Sequence, residues 1–239
     1  MKKIFFVFLL CWMSTLHAEP FLLAAGAGYK RPVTDLTRAY EASTGNRIDV
    51  FFGNMAQVSA QIKQSGKVAM ILADQDFLQK FRGIDIAKTI ALGDGKLVLA
   101  YAKGKTLKQA QELSDPAWRR IAMPEPANAT YGKAAQAFLV KSGLERQIRD
   151  KLMKVSTVPQ VSAYLISGDV DAGFINLTDA LGIREQIGGY IEIDPASYSR
   201  IHITAAILNG WEGNAGVQAF ATYLQSPSAH AILAMHGLQ

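Results

Sequence analysis

Phe21-Leu-Leu-Ala-Ala-Gly-Ala-Gly-Tyr29, Thr34 to Ser43, and Arg47-Ile-Asp-Val-Phe-Phe-Gly-Asn54 read in order as strand, glycine turn, helix, strand and glycine turn, with Thr44-Gly45 between the helix and the second strand. Each glycine turn follows the carboxyl end of an apolar strand and opens a helix. Backbone N–H groups at such a helix start have no partner inside the helix and can hold an anion or a small polar ligand.

Working outward, apolar segments of strand length alternate with helical patterns, which predicts an α/β protein with mostly parallel sheets flanked by helices. Strands are expected at Phe21–Ala25, Ile48–Phe52, Val68–Leu72, Leu97–Ala102, Arg120–Met123, Lys154–Ser156, Ala172–Ile175, Tyr190–Ile193 and Ile201–Leu208. Helices are expected between them, among them Val33–Ser43, Met55–Ser65, Asp76–Phe81, Leu107–Leu113, Gly132–Ser142, Val158–Ser167, Leu177–Ile183, Ala215–Gln225 and Pro227–His236. Ser226-Pro227 supplies a capping hydroxyl and a first-turn proline, and Gly45 and Gly66 stop helices.

Residues 1–18 read as a secretory signal peptide. Met1-Lys-Lys is basic, Ile4 to Met13 is apolar, and Ala18 precedes Glu19-Pro20, so cleavage is expected after Ala18 and the mature chain is expected to be periplasmic. The apolar run is too short for a membrane span, and no membrane insertion of the mature chain is expected. A lipoprotein would begin at Cys11, but bulky Leu10 precedes it. Cys11 is the sole cysteine, so core burial rather than disulfides must stabilise the exported chain. With 49% hydrophobic residues, such a core is within reach.

The net charge of +5 falls to +3 once Lys2 and Lys3 are set aside. Acids and bases are interleaved, which disfavours nucleic acid as a partner and leaves a mild attraction for anions. The sequence has no Gly-x-Ser-x-Gly elbow, HExxH, P-loop or dinucleotide fingerprint, and His202, His230 and His236 are scattered. Neither an enzyme nor a cofactor or metal site is expected.

The order Ala24-Ala-Gly-Ala-Gly-Tyr29, Tyr40-Glu-Ala-Ser-Thr-Gly45, Phe52-Gly-Asn-Met-Ala-Gln-Val-Ser-Ala-Gln-Ile62, Ala73-Asp-Gln-Asp-Phe77, Ile121-Ala-Met-Pro-Glu-Pro126, Tyr131-Gly-Lys-Ala-Ala135 and Ser167-Gly-Asp-Val-Asp-Ala-Gly173 resembles the periplasmic molybdate-binding proteins of ABC importers. The resemblance implies a type II periplasmic-binding fold with a ligand cleft between two lobes. It implies residues 19–98 with 204–239 as lobe one and 99–203 as lobe two, with chain crossings near Val98–Tyr101 and Ile201–Ala206. The implied partners are a small anionic ligand and an ABC permease.

Carried over position by position, the family's ligand contacts fall on Gly28 with Tyr29 beside it, on Asn54 or Met55, on Tyr131, on the backbone of Val158 and on Asn176. Lys30 and Arg31 follow the first turn and could add positive charge. Gly28, Met55 and Asn176 stand where the family presents hydroxyls. A molybdate-type oxyanion leads among the ligands. Another oxyanion, a small carboxylate or a phosphate ester is the alternative, as is a colonisation or adhesion factor on the same fold. Each position also has a structural reading: Asn54 as a helix cap, Met55 as packing, Asp74 and Asp76 as capping carboxylates.

Overall fold

A computed structural model describes residues 21–238. The expected signal peptide lies outside the described residues. Two five-stranded sheets form the cores of two lobes. In the first, β1 (Leu22–Gly26) lies parallel to both β2 (Asp49–Gly53) and β3 (Val68–Asp74). Every residue of β3, Val-Ala-Met-Ile-Leu-Ala-Asp, is buried, as a strand covered on both faces requires. The chain leaves this sheet after β4 (Ile86–Gly95) and returns as β10 (Ile201–Leu208), which runs antiparallel between β3 and β4.

In the second sheet, β6 (Ile121–Pro124) lies parallel to β7 (Leu152–Val155) and β8 (Ala172–Asn176). The incoming strand β5 (Leu97–Tyr101) is antiparallel to β8 and to the edge strand β9 (Gly189–Glu192). The two-lobe α/β fold matches the expectation, with one correction: the sheets are mixed rather than mostly parallel. Each parallel set is built by strand-helix-strand units, but β5 and β10 arrive from the other lobe and insert in the opposite direction.

β4 is absent from the strands read in the sequence. It is an edge strand with only Ile90, Leu92 and Gly95 buried, and Gly93 and Gly95 resemble turn punctuation. Local chemistry is decisive elsewhere. Helix α2 (Met55–Ser65) begins at a capping box in which Asn54 accepts from the Gln57 N–H and the Gln57 side chain accepts from the Asn54 N–H. Helix α6 (Val158–Ser167) lies between capping Thr157 and Gly168. Helix α1 (Lys30–Thr44) starts three residues earlier than expected, because Pro32 sits in its first turn, where a missing N–H costs no helical bond. The helix expected over Leu107–Leu113 is a 3-10 segment, Ala110–Ser114.

Candidate functional site

Four helix starts converge between the lobes. From the first lobe come the 3-10 turn Ala27–Tyr29 that leads into α1, and the start of α2; each follows the carboxyl end of its strand. From the second come α4 (Thr130–Lys141), after β6, and α6, after β7. Together they enclose a cavity lined by Gly26, Ala27, Gly28, Tyr29, Gly53, Asn54, Met55, Ala129, Thr130, Tyr131, Thr157 and Val158. It offers about 30 Å³ to a water-sized sphere, room for about two such groups.

The chemistry of this cavity is that of backbone donors set in an apolar wall. First-turn N–H groups of α4 and α6 have no acceptor within their helices, and the partial positive charge of the helix ends favours an anion there. The Tyr29 and Tyr131 rings meet edge to face, with centroids 6.1 Å apart. Burial pushes both phenols up from their usual pKa, so they remain neutral donors.

Of the residues singled out in the sequence, Gly28, Tyr29, Asn54, Met55, Tyr131 and Val158 line the cavity. Lys30 and Asn176 do not. Lys30 is exposed on the first turn of α1. Asn176 is fully buried and its amide is committed: Nδ2 donates to the Gly28 carbonyl at 2.7 Å, and Oδ1 accepts from the Asp179 N–H at the start of α7 (Leu177–Ile183). Arg31 also turns away from the cavity. Its Nε lies 2.9 Å from Oδ1 of Asp179 across the lobes, and Ser162 donates to the other oxygen of that carboxylate. Asn54 both caps α2 and reaches Ser156 Oγ at 2.9 Å in the opposite lobe.

Gly53 belongs to the second glycine turn and Thr157 caps α6, while no separate signal in the sequence marks Ala129, which enters the lining as a neighbour of the α4 start. None marks the other bonds that join the lobes either. The Met55 N–H donates to the Asn128 carbonyl at 2.9 Å. Lys133 Nζ lies 2.6 Å from Asp76 Oδ2, and Thr178 donates to the His236 carbonyl at 3.0 Å. Beside the cavity, and sharing Met55, Ala129 and Thr130 with it, a larger crevice of about 350 Å³ is lined by Ser59, Asp74, Asp76, Lys80 and Lys133, among others. Among the described residues, no three His, Cys, Asp or Glu side chains are placed to hold a metal ion, and no helix is long and apolar enough to cross a membrane.

Comparison with known proteins agrees with this architecture. The chain is 28% identical over 227 residues to the molybdate-binding protein ModA of Azotobacter vinelandii, covering 92% of this chain and 90% of that protein. The solved periplasmic molybdate-binding protein of Azotobacter vinelandii superposes with a TM-score of 0.83 at 23% identity, over 92% of this chain and 98% of the other. L-phospholactate-bound PEB3 of Campylobacter jejuni superposes with a TM-score of 0.73 at 18% identity, over 92% and 99% of the two chains. A model of the bacterial extracellular solute-binding protein family matches residues 21–239, and the chain belongs to that family.

Proposed function

We propose that this solute-binding protein captures a small anion between its lobes in the periplasm and delivers it to the permease of an ABC importer, without catalysing a reaction. The observation that carries the reading is the convergence of four helix starts, two from each lobe, on one small apolar-walled cavity. Sheet membership supports residues 21–95 with 201–238 as one lobe and 97–198 as the other, a division close to the one expected from sequence. Hinge closure over the ligand follows from this arrangement. The signal peptide ends at Ala18.

A molybdate-type tetrahedral oxyanion leads, supported by the relative named as molybdate-binding. Thermal shift against molybdate, tungstate, sulfate and phosphate tests it. A ligand at a hundred times its Kd stabilises the folded state by about 2.7 kcal/mol. A rise in Tm with at least one of these anions is expected, and none with sodium or potassium counter-ions alone. Failure of every anion in the panel overturns the reading.

A second reading is favoured by the adjoining crevice of about 350 Å³, which a bare oxyanion would leave empty. A small organic phosphate or carboxylate could place its anionic end in the cavity and its remainder in the crevice. The likeness to phospholactate-bound PEB3 shows the fold alone.

Gly28→Ser supplies a sharper test of the oxyanion reading. A Cβ at Gly28 would meet Asn176 Nδ2 at 3.4 Å and Val158 Cβ at 3.6 Å, which is ordinary contact, so serine fits. Hydrogen bonds to charged groups contribute about 1.5–3 kcal/mol. The expected outcome by isothermal titration is molybdate affinity raised about tenfold or more, with Tm of the ligand-free protein unchanged.

A further inference from the structure

Beneath the cavity, three polar atoms are buried without a hydrogen-bond partner: the hydroxyls of Tyr29 and Tyr131 and Oδ1 of Asp74. They are close enough to act on one another electrostatically, yet none makes a hydrogen bond of acceptable geometry with the others. Tyr29 and Asp74 belong to the first lobe, Tyr131 to the second, so lobe closure is what gathers and dehydrates them. Asp74 ends β3, is 8% exposed, and makes no side-chain cap to the helix that follows. It also lines a crevice with Thr130 and Lys133 of the opposite lobe.

We propose that Asp74 takes up a proton from solvent as the lobes close, making it a positioning residue that couples ligand capture to pH. This rests on the two-lobe closure described above. With the lobes apart, water can solvate the carboxylate. Once they close, an ionised oxygen faces two phenols it does not bond, and a buried charge without a full set of partners is far more costly than a neutral acid.

The surrounding charges leave this balance standing. Lys133 favours the ionised form, but its ammonium is bonded to Asp76, which also holds Lys80 at 2.5 Å. The Asp76 backbone N–H also favours the ionised form of Asp74, while the Asp76 carboxylate, a like charge, opposes it. Arg200 lines the same crevice. His202 faces Asp74 with its backbone, while its ring is paired with Asp94 at 2.7 Å. Burial is the largest influence on Asp74 and raises its pKa in the closed form. The closed form therefore binds the proton more tightly than the open form, and ligand affinity rises as pH falls. The rise begins at the raised closed-state value and is complete below the ordinary carboxylate range near 4.

The test needs no identified ligand. Asn54 Nδ2 and Ser156 Oγ lie 2.9 Å apart across the lobes, so the pair Asn54→Cys with Ser156→Cys places two thiols near each other, and oxidised protein whose disulfide is verified by mass spectrometry holds the closed form. Carboxyl 13C NMR, with Asp74 assigned through Asp74→Asn, follows its titration in the oxidised and reduced protein. We expect Asp74 to titrate at a higher pH in the locked form than in the reduced one; equal titration in the two forms overturns the proposal. If the cysteine pair does not fold, proton uptake on binding a stabilising anion from the panel is measured by calorimetry in buffers of different ionisation enthalpy. Zero uptake between pH 4 and 7 overturns it too. Failure of the anion reading appears separately, as an absence of any anion-dependent Tm shift.

Discussion

Asn176→Asp is expected to weaken anion capture about a hundredfold and to recover part of that loss at acidic pH. Aspartate is as good a helix cap as asparagine, so the bond from the Asp179 N–H to Oδ1 survives the change. The interlobe bond does not. Nδ2 of Asn176 donates to the Gly28 carbonyl at 2.7 Å, and a carboxylate there would set acceptor against acceptor. Leaving such buried groups unpaired costs about 1–3 kcal/mol, more when one is charged, and each 1.4 kcal/mol is tenfold in affinity. Lowering the pH toward the carboxylate range restores a donating O–H. A binding isotherm at neutral pH and another near pH 4 check both parts. Equal affinity of variant and parent at neutral pH would mean that the Asn176–Gly28 bond plays no part in closure.

Gly132→Ala is expected to cost about 3 kcal/mol of stability, at the upper end for overpacking. A Cβ at Gly132 would overlap the Pro124 carbonyl oxygen and lie 2.8 Å from its carbon. Both are backbone atoms at the end of β6 and cannot rotate aside, so the first turn of α4 must lift from the sheet. For a chain of this size, Tm should drop by about 6–12 °C in a calorimetric scan. Since that turn carries Thr130 and Tyr131, the variant should also lose its anion-dependent stabilisation. Gly168→Ala serves as the control. Gly168 has φ 77°, but a methyl group added there would meet no atom within 4 Å, so only backbone strain of order 1 kcal/mol applies, far from the cavity. A Gly132→Ala protein that melts with the parent would remove the steric argument.

The sequence is legible where the determining chemistry is local. Thr157 and Gly168 bracket α6, and the Asn54–Gln57 box starts α2; each signal lies within a few residues of what it decides. The family resemblance, carried over position by position, also leads to six residues of the cavity wall, and they lie at helix starts after the carboxyl ends of strands, facing the space beyond the sheets. What stays hidden depends on partners distant in the chain. Nothing near Arg31 indicates that its partner is Asp179, 148 residues away. Asn176 reads as a polar group at the mouth of a buried strand; its commitment to Gly28 emerges only once the lobes are set against each other. β4 escapes the strand pattern because an edge strand with one covered face and two glycines carries little of the apolar periodicity by which strands are read.

A recognition site built chiefly from main-chain N–H groups has an evolutionary consequence. Every residue except proline carries the same donor, so substitution around the wall leaves the anion-holding groups in place and alters mainly the shape of the space they surround. If the proposed site is right, lineages can drift from one cargo to another by substitution at positions such as 28, 55 and 131, without first passing through a receptor that binds nothing.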